Sequence, residues 1–347
     1  MENELKNSNL SCKRLRYIDI ARGIAIISIL LGHMSIYSLS CFVFTYHVPV
    51  FFLVSGYFIS EKKTNSQFIK HKLRTLIVPY WIICMAIIIL SAIIELLTGG
   101  DCFKTAKEWF IAAVYGSGHT YETPFPIPGI GAIWFLWALF FAGITVKLLV
   151  KADYRIRILG IAAAFAAGYL TSHYLFWFPF SIQAGLCSAV YVYAGYLAHK
   201  YEDSYHRLSK EVKAVIFILA VLVFASFIMN FDAFWIVTCD FGRGFLNIAA
   251  SLCACFVVFA VSRIIDLHLK VTSKFLAYIG KNSLFILFIH MLQISLFKWI
   301  EVFNYMIPPV NDLVRIILIV LLSLTFDIGI GCMLSKISFI RKAFGAK

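Results

Sequence analysis

The chain has 347 residues, of which 61% are apolar and only 14% are charged, and its mean hydropathy is +0.86. A soluble domain of this length does not have such a composition, and the apolar runs repeatedly reach the ~20 residues that a helix needs to cross a bilayer. The formal net charge of +13 does not indicate a nucleic-acid-binding protein, because the basic residues are concentrated in the segments between apolar runs. The composition therefore predicts a polytopic membrane protein whose partner is the lipid bilayer.

Ten apolar runs predict an all-α, polytopic transmembrane helical bundle with about ten spans. In chain order, the predicted spans are 17–38, 42–60, 76–97, 131–150, 158–176, 180–199, 214–236, 243–262, 276–298 and 312–334. If the N-terminus is inside, 23 of the 31 basic residues fall on the cytoplasmic side. Such an asymmetry follows the positive-inside rule and predicts that both termini are cytoplasmic.

The sequence contains no linker, low-complexity tract or repeat, so we predict a single domain over 1–347. Short cytoplasmic tails are expected at 1–16 and 335–347. The longest segment between spans, 98–130, is predicted on the outer side, with an amphipathic helix around 103–114 followed by three prolines. Two interpretations remain open for this segment, a lid over an acceptor site or an interfacial helix with a rigid connector.

The first predicted span carries three polar residues on one face. Arg22 and His33 are eleven residues apart, which is about 20° past three full helical turns, and Asp19 lies one turn before Arg22. Along the helix axis, Arg22 and His33 are about 16 Å apart. Because a charged side chain at mid-depth costs roughly 2.5–3.5 kcal/mol on the insertion scale, this face is predicted to point to a polar interior.

Further polar motifs follow in chain order. The second span opens at His47 with His-Val-Pro-Val-Phe-Phe-Leu-Val-Ser-Gly-Tyr, and only a short connection separates it from the outer end of the first span. A basic loop containing Lys72 and Arg74 then leads into Pro-Tyr. Trp-Phe-Leu begins at Trp134, and Gly-Lys-Asn-Ser precedes His290 in the ninth span.

Taken together, these segments resemble the acyltransferase 3 family of membrane O-acyltransferases. The matching features are the Arg-x10-His of the first span, the His-x-Pro-x-Phe-Phe…Ser-Gly-Tyr of the second and the basic loop ending in Pro-Tyr, with the Trp-Phe-Leu and Asn-Ser…His segments. The resemblance covers most of the chain. One departure is His71, which stands where many members carry an arginine three places before the one corresponding to Arg74.

The resemblance implies an acyltransferase in the bacterial cytoplasmic membrane that moves acetyl from acetyl-CoA to a hydroxyl of an envelope carbohydrate or glycolipid, with no metal. Succinyl or another acyl group transferred to an exopolysaccharide is an alternative within the same chemistry. A glycan-precursor transporter or exporter is the alternative from another class, because intramembrane charges also suit transport. The sequence shows no inverted repeat of the kind that many transporters carry.

The chemistry can also be argued from the residues. Acyl transfer from a thioester to a hydroxyl needs a base, and the imidazole of His33 can accept a proton at neutral pH. A polyanionic donor needs cations, and a guanidinium holds phosphate bidentately. We therefore expect His33 to act as general base or as a transient acyl carrier, and Arg22, Lys72 and Arg74 to bind the CoA donor, with Arg22 also orienting the catalytic site.

Each of these basic residues has a simpler interpretation. Arg22 is little more than one turn inside the span, so its side chain can reach the interface or pair with Asp19. Lys72 and Arg74 also serve as topology anchors at the cytoplasmic side.

Three further residues carry open predictions. His47 is expected in the site, either supporting His33 or binding the acceptor. For His290, hydrogen bonding between helices is the favoured interpretation. Asp327 in the last span is predicted to be a buried acid, and the sequence indicates no partner for it.

Overall fold

The computed structural model of the protein describes residues 15–34, 36–230, 234–297, 305 and 311–345. Its principal helices are α1 (Arg16–Gly32), α2 (Tyr37–Phe44), α3 (His47–Tyr57), α4 (Asn65–Lys72), α5 (Val78–Thr98), α6 (Cys102–Tyr115), α7 (Trp134–Leu149), α8 (Tyr154–Tyr174), α9 (Ile182–Lys200), α10 (Glu202–Arg207), α11 (Lys210–Met229), α12 (Phe245–His268), α13 (Lys270–Lys281), α14 (Ser283–Leu292), α15 (Asp312–Leu334) and α16 (Ser338–Ala343). One π-helical turn, Leu73–Ile77, joins α4 to α5.

The all-helical prediction is confirmed for the described residues. They contain no strand, and their β-type pairing is limited to two isolated bridges, Tyr121 with Ile127 and Trp235 with Asp240. Helices are the expected architecture for a chain of this hydropathy, because every backbone N–H and C=O inside hydrocarbon must be satisfied within the segment.

Several helices are long and apolar enough to cross a bilayer. Within the described ranges there are six of them, or seven if a bent pair counts as one span. They are Tyr37–Tyr57, Asn65–Thr98, Tyr154–Tyr174, Lys210–Met229, Phe245–His268 and Val314–Leu334, with the bent pair Lys270–Lys281 and Ser283–Leu296. The chain is thus a multi-pass membrane protein, while the count of ten spans and the cytoplasmic termini stay predictions. The single domain over 1–347 also stays a prediction. Of its predicted tails, residues 1–14 and 346–347 lie outside the described residues.

Two predicted spans differ in detail from the structure. The span predicted at 276–298 is bent by 63° where Asn282 separates α13 from α14. The amide of Asn282 donates to the Tyr278 carbonyl at 3.0 Å, a local bond that competes with the helical ladder. The span predicted at 214–236 is shorter, because α11 ends at Met229. Residues 231–233 and 298 lie outside the described part of the chain.

The helix α1 packs closely against α13. A Cβ atom on Gly23 would overlap the Leu276 carbonyl oxygen, and one on Gly280 would overlap the Asp19 carbonyl oxygen. Small residues at such an interface let two backbones approach closely, which is how many membrane helices associate. This packing fixes α1, and with it the face that carries Arg22 and His33.

The segment 98–130 contains a helix close to the predicted one, since α6 spans Cys102–Tyr115. Beyond it, the chain folds back on itself, because the Ile130 N–H donates to the Ser117 carbonyl at 2.6 Å. Tyr121 stacks on Trp177, with ring centroids 4.9 Å apart and planes at 9°. Burial raises the pKa of the Tyr121 hydroxyl. These contacts hold the loop against the ends of the helices.

Candidate active site

Two cavities lie toward opposite ends of α1. The first, which we call the histidine cavity, has a volume of about 430 Å³ and receives the C-terminal end of α1. Its lining residues are Ile29, His33, Phe44, His47, Val48, Gly118, His119, Gly131, Ala132, Trp134, Phe135, Phe234, Trp235, Ile236, Val237 and Thr238. An apolar and aromatic wall with a few convergent imidazoles is typical of a small-molecule site.

The second cavity, which we call the arginine cavity, has a volume of about 1000 Å³. It is lined by Leu15, Ile18, Asp19, Arg22, Tyr57, Phe58, Ile59, Ser60, Glu61, Lys62, Tyr196, His199 and Lys200. The two cavities share no lining residue. Arg22 and His33, eleven residues apart on one helix, therefore line two separate cavities.

His33 is the residue that ends α1. It is the C-cap of that helix, and its side chain is exposed into the histidine cavity. The ring of His33 lies beside that of His290, with the centroids 5.2 Å apart and the planes at 45°. The predicted base is thus at a cavity wall and in contact with a second imidazole.

His290 and Asp327 form a buried pair behind His33. The His290 Nδ1 lies 2.9 Å from Asp327 Oδ2, and the two side chains are 1% and 0% exposed. Since a carboxylate accepts, Nδ1 carries the hydrogen, and Nε2 of a neutral His290 then has a lone pair. That Nε2 has no hydrogen-bond partner among the described residues. His290 does join two helices, as the sequence predicted, and Asp327 is the partner that the sequence did not indicate.

Gln293 completes the surroundings of Asp327. It lies one turn after His290, and with its amide nitrogen oriented toward Asp327 the two carboxylate oxygens are 2.6 and 2.8 Å away. In that orientation the hydroxyl of Ser323, one turn before Asp327, donates to the Gln293 amide oxygen at 2.6 Å. A buried carboxylate needs such donors, because an unpaired charge in the interior is costly.

His47 lies at the N-terminal end of α3 and lines the same cavity as His33. Its Nδ1 is 2.8 Å from the Val43 carbonyl, so Nδ1 is the donor and Nε2 is left as the acceptor of a neutral ring. The ring packs on Phe44, at 4.9 Å between centroids. The structure thus places the two predicted histidines, His33 and His47, in one cavity.

Arg22 is half-buried in the wall of the arginine cavity. Its Nη2 donates to Ser283 Oγ at 3.0 Å, and its Nη1 lies 3.7 Å from Asp19 Oδ1. The side chain is 28% exposed, so the guanidinium contacts the cavity while these bonds orient it. Arg22 thus lies near Asp19 and also lines the cavity, so the two interpretations of this residue are compatible.

Lys72 and Arg74 are placed differently from Arg22. Lys72 Nζ donates to Ser55 Oγ on α3 at 2.7 Å, and its ammonium lies 5.5 Å from the Phe68 ring centroid. Arg74 is exposed on the π-helical turn. Neither residue lines the arginine cavity as the structure describes it.

Two residues of the histidine cavity were missed by the sequence analysis. His119 comes from the loop after α6, and Trp235 precedes the short helical turn Ile236–Thr238. The span predicted through 236 covers Trp235, whereas the helix ends at Met229 with Asn230 as its C-cap, a residue type that favours helix ends. His119 had no motif around it that would have singled it out.

The described residues contain no group of three or more His, Cys, Asp or Glu side chains placed to hold a metal ion. Free cysteines there are mostly buried. The expectation of a metal-independent reaction stays a prediction.

The fold is thus that of a multi-pass helical membrane protein with three histidines, His33, His47 and His119, at one cavity. The model of the acyltransferase domain family (acyltransferase 3) matches residues 15–330, nearly the whole chain. The protein therefore belongs to this family of membrane acyltransferases, as the motifs predicted. No curated protein and no solved structure matches the chain.

Proposed function

We propose that the protein transfers acetyl from cytoplasmic acetyl-CoA to a hydroxyl of an envelope carbohydrate in the bacterial cytoplasmic membrane. The observation that carries this proposal is that α1 presents Arg22 to one cavity and His33 to the other. A transferase acting across a bilayer needs a donor site and an acceptor site at different depths, and one helix supplies a residue to each.

The arginine cavity is the proposed donor site. Four cationic or potentially cationic side chains line it, namely Arg22, Lys62, His199 and Lys200. Phosphates prefer such groups, and the guanidinium is the strongest of them because it donates bidentately. Its larger volume, about 1000 Å³, suits the nucleotide end of CoA. Lys72 and Arg74 stay proposed donor contacts for a ligand-bound state.

The pantetheine arm would then extend along α1 toward His33. Ile26 and Ile29 lie between Arg22 and His33 on the same face of α1. The steps from 22 to 26, 29 and 33 are four, three and four residues, which is the spacing of one helix face. Ile29 lines the histidine cavity and Ile26 is 1% exposed. Because Ile26 is buried and lines neither cavity, the helices around it must separate for the pantetheine arm to pass.

In the histidine cavity, His33 is the proposed general base. The acceptor hydroxyl oxygen attacks the thioester carbonyl carbon, the carbon–sulfur bond breaks, and the hydroxyl proton passes to His33. His33 then returns the proton to the leaving thiolate, which gives free CoA and the ester. A positioned base of this kind typically contributes about 10²–10⁴-fold to the rate.

His290 and Asp327 are proposed to support that proton transfer. With Nδ1 hydrogen-bonded to Asp327, His290 presents an acceptor nitrogen within the ring pair at 5.2 Å. A carboxylate that holds a histidine in one tautomer and stabilises its cation is a recurrent device in acyl transfer. His47 offers a second acceptor nitrogen, which we assign to the incoming hydroxyl.

The acceptor is proposed to be a carbohydrate because of the aromatic wall. Trp134, Trp235 and Phe44 line the histidine cavity, and flat apolar faces combined with a few polar groups suit a sugar ring. His119 comes from the loop after α6 and adds a polar group to the cavity lining.

The test uses the purified protein in lipid nanodiscs with labelled acetyl-CoA and an envelope glycan extract as acceptor. We expect label in the glycan, and we expect the His33→Ala variant to lose about 10²–10⁴-fold of that rate. His173→Ala is the matched control, because His173 is exposed on α8 and bonds only locally to Tyr169 and Ser172.

Other outcomes would change the proposal. Transfer from labelled succinyl-CoA but not from acetyl-CoA would replace the donor. An acetyl group trapped on His33 would make that residue an acyl carrier instead of a base. Full activity in His33→Ala would remove it from catalysis, and glycan export without any acyl transfer would identify a transporter.

A further inference from the structure

One wall of the arginine cavity is the loop between α3 and α4. Ile59, Ser60, Glu61 and Lys62 of this loop all line the cavity. The loop ends at Thr64, whose hydroxyl accepts from the Gln67 N–H while the Gln67 side chain accepts from the Thr64 N–H. This capping box fixes the start of α4, and with it the position of the C-terminal end of the loop.

Lys147, in the last turn of α7, holds the middle of the loop. Its ammonium donates to the Ser60 carbonyl and to the Lys63 carbonyl, each at 2.7 Å. The side chain is 2% exposed, although the residue belongs to an otherwise apolar helix. Such a buried cation costs free energy unless it is compensated, and here the compensation comes from two backbone carbonyls of one loop.

A second anchor holds the acidic residue of the loop. The Tyr196 hydroxyl, on α9, donates to the Glu61 carboxylate. Arg157 donates to the Tyr196 hydroxyl and to the Val150 carbonyl, both at 3.3 Å. Glu61 is thus bonded to α9, and both Glu61 and its neighbour Lys62 are exposed and line the cavity.

We propose that Lys147 is a positioning residue for the nucleotide end of the acyl-CoA donor. It acts by fixing the 60–63 loop, so that Lys62 faces the phosphates while the Glu61 carboxylate stays bonded to Tyr196. The inference rests on the proposed function, because it takes the arginine cavity as the donor site.

The measurement is the dissociation constant for CoA and for pantetheine, which lacks the nucleotide, on the full-length protein in nanodiscs. Lys147→Met keeps the length of the side chain and removes its donors. We expect it to raise the Kd for CoA about tenfold, the size of effect expected for loss of a charge-assisted hydrogen bond, and to leave the Kd for pantetheine within about twofold. Lys151→Met, an exposed lysine one turn later, is the matched control and should change neither constant.

Tyr196→Phe tests the second anchor in the same assay and should raise the Kd for CoA in the same direction. If Lys147→Met does not fold, this variant decides the question. Equal weakening of CoA and pantetheine would indicate a merely structural role and overturn the inference, as would unchanged CoA binding in both variants. Wild-type protein that does not bind CoA would overturn the donor assignment itself.

Discussion

Asp327 lies within an apolar helix, 37 positions after His290, and no spacing rule relates the two. The sequence indicated a buried acid because a carboxylate in such a helix is costly unless it is paired. It did not indicate which residue pairs with it. By contrast, the relation between Arg22 and His33 was readable, since both lie on one helix and helical geometry alone places them on one face.

At this scale we predict the effect of neutralising the carboxylate. Asp327→Asn keeps the shape of the side chain but no longer holds His290 in its Nδ1–H tautomer. We expect kcat to fall about 10–10²-fold, with little change in the KM for donor or acceptor. This loss is smaller than the fall in kcat of about 10⁴-fold seen when the carboxylate that directly orients a catalytic histidine loses its charge, because Asp327 acts through His290. Steady-state acetyl transfer in nanodiscs is the measurement.

Asp266→Asn is the control for that variant, because Asp266 lies on α12 with Arg16 and Ser273 as neighbours. A kcat unchanged in Asp327→Asn would remove the pair from the mechanism. A loss of folded protein would instead show that the pair mainly stabilises the contact between α14 and α15.

At the scale of elements, the apolar runs predicted the helices but not how they end or approach. The bend at Asn282 separates α13 from α14 and places His290 on the second of them. The bend lets α13 pack on α1 through Gly23 and Gly280, while α14 brings His290 to the end of α1. A single straight span through both segments, which hydropathy favoured, would not have this geometry.

This packing leads to a prediction about stability. Gly280→Ala places a Cβ atom against the Asp19 carbonyl oxygen, so the helices must separate, and overpacking of this kind costs about 1–3 kcal/mol. We expect a lower midpoint of thermal unfolding in detergent. Gly329→Ala is the matched control, because a Cβ at that position meets no atom within 4 Å. Equal midpoints for the two variants would contradict a close contact between α1 and α13.

At the scale of the whole molecule, the proposed reaction depends on orientation. The arginine cavity serves a cytoplasmic donor only if the end of α1 at Arg22 faces the cytoplasm. The distribution of basic residues predicts that orientation, because lysines and arginines remain on the cytoplasmic side during insertion. The structure adds that Lys62 and Glu108 are both exposed, one at the arginine cavity and the other on α6.

Orientation can be measured by labelling single cysteines in a cysteine-free background with a membrane-impermeant maleimide. We expect Glu108→Cys to react in intact cells and Lys62→Cys to react only after the membrane is permeabilised. The reverse pattern would place the arginine cavity outside and exclude its use for cytoplasmic CoA. Acetyl transfer by Glu108→Cys, a position with no proposed role in the reaction, and elution of Lys62→Cys as a monodisperse protein show that each label was read on folded protein.

The sequence by itself determined the properties that local chemistry controls. Hydropathy determined that the chain is helical and spans a membrane, helical periodicity placed Arg22 and His33 on one face, and short motifs identified the family. Only the tertiary structure decided which distant residues meet. The pairing of His290 with Asp327, the two separate cavities and the loop held by Lys147 depend on contacts between helices far apart in the chain. Because such contacts arise from packing and from the need to satisfy buried polar groups, no local pattern encodes them.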